Sequence, residues 1–146
     1  MRLYLDTSAL VKLHVEEDGS PAVREAADRA EMVATSALAY VEARAAFVRR
    51  REEGTLSTGD YRRIVRDLDA DWDRYLVVEV TDQLVREGAR LAEAHRLKAY
   101  DAVHLASATT VRAEPTDPWV FASWDRSLER AARREGLAPL RAIPGR

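Results

Sequence analysis

The chain has 146 residues, of which 47% are hydrophobic and 33% are charged, and its formal net charge is −2. This balance excludes a disordered chain, and the length suits one domain, 1–146, with its own core. The chain has no cysteine, which excludes disulfides, thiolate catalysis and cysteine-bound zinc, and it has no apolar run of the roughly 20 residues that span a membrane. We therefore predict a cytoplasmic protein that is not bound to a membrane.

Strands and helices are predicted to alternate along the chain. Short apolar runs predict strands at 3–5, 32–35, 76–80, 119–122 and, at one edge, 138–141. Apolar residues at helical spacing predict helices at 9–14, 20–30, 36–53, 59–73, 81–97, 100–110 and 126–135, with Ser20 and Ser36 as start signals. The apolar run 76–80 is typical of a strand covered on both faces. The alternation predicts an α/β fold in which a central parallel sheet carries helices on both faces.

Two acidic residues follow predicted strands directly. Asp6 ends the first apolar run, and Asp125 comes just after 119–122; a helix begins close behind each of them. In a parallel sheet both residues project from the same edge, where open α/β sheets bind their ligands. Each could instead cap the following helix, although Thr7 and Ser8 could cap the first helix equally well.

Two more acids lie on apolar helix faces. Glu42 is four residues from Leu38 and three from Ala45, so it shares an apolar stripe where an unpaired carboxylate is costly. A salt bridge from Glu42 to Arg49 is the main structural alternative. Asp101 shares a face with Leu105, and its alternative role is a helix cap. His104 lies on a neighbouring face and is interpreted as a core or supporting residue and not as a metal ligand.

Four acids at one sheet edge would repel one another strongly unless a cation neutralised them. A hard divalent cation with oxygen ligands does this, and Mg²⁺ or Mn²⁺ suits a site without cysteine. Such a site favours phosphodiester hydrolysis, because a bound cation activates water and stabilises charge on the attacked phosphate.

Four sequence blocks resemble the PIN-domain family, and in particular its VapC-type toxins from toxin–antitoxin pairs. The blocks are Leu-Asp-Thr-Ser-Ala-Leu-Val-Lys-Leu (5–13), Thr-Ser-Ala-Leu-Ala-Tyr-Val-Glu (35–42), Tyr-Asp-Ala-Val-His-Leu-Ala (100–106) and Ser-Trp-Asp-Arg-Ser-Leu (123–128). Their order and spacing make the resemblance specific, and it covers essentially the whole chain. It implies a three-layer α/β/α fold and a Mg²⁺- or Mn²⁺-dependent endoribonuclease that leaves 5′-phosphate and 3′-hydroxyl ends.

The resemblance also implies roles for individual residues. Asp6 and Asp101 would hold the metal, with Glu42 and Asp125 binding it directly or through water. Two hydroxyl residues, Ser8 and Ser123, would support the site, and Ser123 stands where the family commonly has threonine. The family further implies an RNA substrate, a homodimer and a cognate antitoxin that covers the active-site groove.

Other functions are weighed against this one. A haloacid-dehalogenase-like phosphatase needs a second aspartate two residues after the first, and this chain has Ser8 there. A catalytically inactive PIN-like binding module is the non-enzymatic alternative, but such modules usually lack one or more of the acids. Arg44 and Arg49 are candidate phosphate contacts, although arginines near a helix end are also typical of a solvated terminus.

Overall fold

The computed structural model describes residues 1–114 and 117–140. Within these ranges five strands form one parallel sheet in the order β3-β2-β1-β4-β5, so the first strand of the chain lies in the middle. The elements in chain order are β1 (Arg2–Leu5), α1 (Thr7–His14), α2 (Ser20–Arg29), β2 (Met32–Ser36), α3 (Leu38–Glu52), α4 (Thr58–Trp72), β3 (Leu76–Val78), α5 (Asp82–His95), α6 (Ala99–Val111), β4 (Trp119–Ala122), α7 (Arg126–Arg134) and β5 (Ala138–Pro139).

Two hydrophobic cores, one on each face of the sheet, confirm the predicted α/β class. Successive strand residues point to opposite faces. Leu3 and Leu5 of β1 therefore pack with apolar residues of α1, α2, α3 and α4, whereas Tyr4 packs with those of α5, α6 and α7. The result is a three-layer arrangement with the sheet in the centre.

The strand register determines which residues meet at the carboxyl edge of the sheet. Leu5 is paired with Ala122, and the amide of Asp6 donates a hydrogen bond of 3.1 Å to the carbonyl of Ala122. The segments that follow β1 and β4 therefore leave the sheet side by side. On the other side of β1, the Thr35 hydroxyl donates to the carbonyl of Leu5 at 2.7 Å and ties β2 to the same edge.

Several predicted details were wrong. The run 76–80 was expected to be covered on both faces, but β3 is an edge strand and Leu76 and Val80 are exposed. Ser20 does not cap α2, because Gly19 occupies that position with a φ of 90°. Ser36 ends β2 and does not begin α3, although its hydroxyl accepts a hydrogen bond from the amide of Leu38.

The chain's last strand is only partly described. The structure places β5 at Ala138–Pro139, parallel to β4. The predicted strand 138–141 extends one residue beyond the described range. Among the described residues, every helix is too short or too polar to cross a membrane.

Candidate metal centre at the carboxyl edge of the sheet

Asp6 is the buried centre of the candidate site, with only 4% of its surface exposed. It is the N-cap of α1: its Oδ1 atom accepts hydrogen bonds from the Ala9 amide at 2.9 Å and from the Ser8 hydroxyl at 2.6 Å. The sequence argument set capping against a functional role, and the structure shows that Asp6 does cap the helix. Burial raises the pKa of Asp6, against the opposing effects of His104 and of hydrogen bonds from Ser123, Ser8 and Ala9.

Asp125 lies at the start of α7 and also caps its helix, because its Oδ1 accepts from the Leu128 amide at 2.9 Å. Ser123 contacts both aspartates: its hydroxyl accepts from the Asp125 amide at 3.0 Å, and its side chain is hydrogen-bonded to Asp6. Ser8 also joins the two segments, because its hydroxyl accepts from the Trp124 amide at 3.0 Å. Both serines therefore contact Asp6 and fix the loop that carries Asp125.

Asp101 lies in the first turn of α6 and is half-buried. Its pKa is raised, first by burial and then by the negative charges of Asp125 and Asp6. Like charges act on one another this way only when they are close. Asp101 is therefore near enough to the other two aspartates for their charges to disfavour its ionised form.

Glu42 completes the set of acids from α3. Its Oε1 atom accepts from the Thr7 hydroxyl at 2.5 Å and lies 3.1 Å from Nε2 of His104. Burial disfavours its ionised form, but the hydrogen bonds from His104 and Thr7 outweigh that effect and lower the pKa of Glu42. The alternative partner suggested by the sequence, Arg49, is exposed in the last turn of α3, so Glu42 is paired with a histidine and not with an arginine.

The donor set has the chemistry of a hard-cation site. The four acids supply only carboxylate oxygens, which suit Mg²⁺ or Mn²⁺, and their mutual repulsion is the kind of charge that a cation relieves. As placed, however, no three acidic or histidine side chains of 1–114 and 117–140 are arranged so that they could hold a metal ion. Two of the acids cap helices and a third is bound to Thr7 and His104, so binding a cation would require some of the carboxylates to move.

The two arginines predicted to contact phosphate lie in different surroundings. Arg44 donates to the Tyr40 hydroxyl at 2.9 Å, and its guanidinium lies 5.7 Å from the centre of the Tyr40 ring. Arg49 lines a cavity of about 820 Å³ together with Glu17 and Asp60. Contact of either arginine with RNA stays a prediction.

Sequence reasoning missed Thr7 and Tyr4. Thr7 was considered only as a possible cap, yet its hydroxyl contacts both Glu42 and His104. Tyr4 was seen only as part of a strand, but its hydroxyl lies 2.9 Å from Nδ1 of His104. The one available signal was alternation: Tyr4 points to the face opposite Leu3 and Leu5, and a polar atom buried there requires a partner.

The sequence and the fold of the chain are similar to those of known proteins. The PIN domain family model matches residues 3–134. Ribonuclease VapC45 of Mycobacterium tuberculosis is 37% identical over 145 residues, which are 97% of this chain and 98% of that protein. The solved structure of FitAcB from Neisseria gonorrhoeae has a TM-score of 0.63 and 17% identity over 97% of this chain and 99% of that one. A toxin–antitoxin complex from Klebsiella pneumoniae has a TM-score of 0.60 and 14% identity over 84% and 86%. By its sequence and its fold, the chain belongs to the PIN domain family.

Proposed function

We propose that this chain is a divalent-metal-dependent endoribonuclease and the toxin of a toxin–antitoxin pair. The observation that carries the proposal is the convergence of Asp6, Glu42, Asp101 and Asp125 on one sheet edge, in a chain 37% identical to ribonuclease VapC45. Mg²⁺ or Mn²⁺ is the proposed cofactor. Asp6 and Asp101 would hold it, with Glu42 and Asp125 binding directly or through water.

The reaction would be hydrolysis of an RNA phosphodiester bond. When bound, a divalent cation supplies positive charge beside the attacked phosphate and activates a water molecule. The new bond forms between the water oxygen and phosphorus, the bond from phosphorus to the 3′ oxygen breaks, and the leaving oxygen takes up a proton. The products are a 5′-phosphate and a 3′-hydroxyl.

The residues of the chain would supply positioning and exclude bulk water. Asp6 is nearly inaccessible and is held by Ser8 and the start of α1, so it is a rigid ligand. Glu42 is held by Thr7 and His104. Rigid placement of charged groups before substrate arrives reduces the reorganisation that the reaction would otherwise require.

The test is cleavage of synthetic RNA by the purified chain in Mg²⁺ or Mn²⁺, with identification of the new RNA ends. We expect cleavage that stops on addition of EDTA and in Asp6→Asn. Asp67→Asn is the matched control, because Asp67 is an exposed acid on α4, and this variant should cleave RNA like the wild type. Cleavage that persists in EDTA and in Asp6→Asn would contradict the proposal.

Two partners belong to the same proposal: a cognate antitoxin protein and a second copy of this chain in a homodimer. The similarity in fold to a chain of a toxin–antitoxin complex supports the antitoxin. Co-expression with a cognate antitoxin, sought among small open reading frames next to this gene, should restore the growth of cells that express the chain. Light scattering on the purified protein should give twice the chain's 16.4 kDa mass. No rescue of growth would remove the antitoxin from the proposal, and a monomeric mass would remove the dimer.

A further inference from the structure

A row of hydrogen-bonded side chains links the interior of the sheet to Glu42. The Tyr4 hydroxyl lies 2.9 Å from Nδ1 of His104, and the opposite ring nitrogen, Nε2, lies 2.9 Å from the Thr7 hydroxyl and 3.1 Å from Glu42 Oε1. The Tyr4 side chain and α6, which carries His104, lie on the face of the sheet opposite α3. The row therefore connects the two faces of the sheet at its carboxyl edge. Neither Tyr4 nor His104 is one of the proposed metal ligands.

Donor and acceptor roles within the row follow from the chemistry of each group. The Thr7 hydroxyl has one proton and donates it to the Glu42 carboxylate, so it accepts from Nε2 of His104. Nε2 therefore carries a proton, which it shares between Thr7 and Glu42. Burial above all raises the pKa of Tyr4 well above its ordinary value, so Tyr4 keeps its proton and can donate it to Nδ1. Every group in the row then has a partner.

Packing leaves His104 little freedom to move. The Tyr4 ring is stacked on Phe121 with ring centres 5.4 Å apart, and it meets the His104 ring edge-on at 5.9 Å. Tyr4 is fully buried and His104 is 2% exposed. A ring held on both nitrogens and enclosed on its faces cannot rotate without breaking hydrogen bonds in a dry interior, which is costly.

We propose that His104, held by Tyr4, is a positioning residue that orients the Glu42 carboxylate for binding of a divalent cation. The inference rests on the proposed function, because it assigns Glu42 to the metal. Both hydrogen bonds from Thr7 and His104 fall on Oε1, so Oε2 is the oxygen with lone pairs for a cation. Groups that hold a metal ligand in this way typically change metal affinity by about 10- to 100-fold when they are replaced.

The test is Mn²⁺ binding, measured by calorimetry on the full chain without RNA. We expect His104→Leu to weaken Mn²⁺ binding by about 10- to 100-fold, because Glu42 then loses its donor. His104→Gln should retain most of the affinity, because its amide N–H can replace Nε2–H. Tyr4→Phe keeps the stacked ring and removes only the hydroxyl, so its loss of Mn²⁺ affinity should lie between those of His104→Gln and His104→Leu.

A double mutant separates positioning from general damage to the fold. In a Glu42→Gln background, His104→Leu should cause no additional loss of Mn²⁺ affinity, because both changes act through the same carboxylate. The inference is overturned if His104→Leu binds Mn²⁺ like the wild type, or if its effect persists in that background. If His104→Leu does not fold, Tyr4→Phe is compared in the two backgrounds by the same criterion.

The outcome also distinguishes this inference from the proposed function. If the variants weaken Mn²⁺ binding but the wild type cleaves no RNA, the proposed function fails and the positioning role stands. If RNA is cleaved but the variants bind Mn²⁺ normally, only the positioning role fails. A wild-type chain that binds no Mn²⁺ would overturn both.

Discussion

The hydroxyl of Ser8 donates a hydrogen bond of 2.6 Å to Oδ1 of Asp6. Through its bond from the Trp124 amide, the same hydroxyl ties the first turn of α1 to the segment between β4 and α7. The distance between Asp6 and Asp125 therefore depends on the Ser8 side chain in addition to Ser123 and the strand register. Removing that hydroxyl should loosen the site more than it loosens the fold.

We predict that Ser8→Ala lowers kcat/KM for RNA cleavage at least about tenfold, a typical effect of losing support for a metal ligand, and costs about 1 kcal/mol of stability. Ser8→Thr keeps a hydroxyl and should retain most of the activity. Single-turnover cleavage and urea unfolding of the three proteins measure the two effects. Equal activity in Ser8→Ala and the wild type would contradict the role given to this hydroxyl.

The second prediction concerns Asp6 in the metal-free protein. Because folding raises its pKa above the unfolded value of about 3.9, the folded state holds the Asp6 proton more tightly. The contribution of Asp6 to stability therefore falls as pH rises from the unfolded pKa through the folded pKa. Asparagine does not ionise, so Asp6→Asn has no such pH-dependent loss of stability, and it keeps an N-cap side chain. The stability of Asp6→Asn relative to the wild type should therefore increase with pH.

Asp6→Ala provides the matched comparison, because alanine cannot cap α1 and should cost about 1 kcal/mol relative to asparagine. Urea unfolding in EDTA between about pH 4 and about pH 7 separates charge from capping. If the wild-type protein instead gains stability relative to Asp6→Asn as pH rises, ionisation of the buried Asp6 carboxyl does not destabilise the folded state.

The third prediction concerns removal of metal. Asp101 is destabilised by the nearby charges of Asp125 and Asp6, so Asp101→Asn should unfold at a higher temperature than the wild type in EDTA. In Mn²⁺ the order should reverse. A cation at 100 times its Kd stabilises the wild type by about 2.7 kcal/mol, and the variant should lose most of that gain. Thermal unfolding of the two proteins in EDTA and in Mn²⁺ measures both differences. If Mn²⁺ raises the unfolding temperature of Asp101→Asn as much as that of the wild type, Asp101 is not a metal ligand.

The fourth prediction compares two glycines with similar backbone angles. Gly19 has a φ of +90°, and a Cβ atom there would lie 2.6 Å from Cζ2 of Trp124. Gly54 has a φ of +83° and open space around it. Alanine at Gly54 should cost about 1 kcal/mol from the backbone alone, whereas alanine at Gly19 should cost about 3 kcal/mol, because the Trp124 ring must also move. Denaturant unfolding measures both, and equal losses would mean that Trp124 moves freely.

The sequence predicted that Asp6 and Asp125 lie at the same edge of the sheet, because each follows the end of a predicted strand. Asp6 and Asp125 were located because a short apolar run precedes each of them, and the parallel register of Leu5 and Ala122 then brings those ends together. The α/β class and the strand positions were confirmed for the same reason, since they depend on local periodicity. The four sequence blocks added the resemblance to the PIN-domain family and its VapC-type toxins, which the family match over residues 3–134 and the 37% identity to ribonuclease VapC45 confirm.

Features that depend on packing between layers were not predictable. The structural alternative for Glu42 was a salt bridge on its own helix, to Arg49, but α6 brings His104 to it from 62 residues away. The exposure of β3 depends on the strand order, which local patterns do not determine. Capping by Asp6 was one of two alternatives, because Thr7 and Ser8 could also cap the first helix. In the structure the Thr7 hydroxyl contacts Glu42 and His104 and the Ser8 hydroxyl contacts Asp6, which leaves the cap to Asp6.

The central place of β1 has a consequence for synthesis of the chain. Residues Arg2–Leu5 leave the ribosome well before one of their two neighbours in the sheet, Trp119–Ala122. Domains fold during translation from the N-terminus at about 5–20 residues per second, so β1 lacks a partner on one side for several seconds. Asp125 emerges later still. A ribosome-bound fragment without Asp125 therefore holds an incomplete set of acids, and the proposed ribonuclease cannot attack the RNA of the ribosome that is making it until Asp125 has emerged.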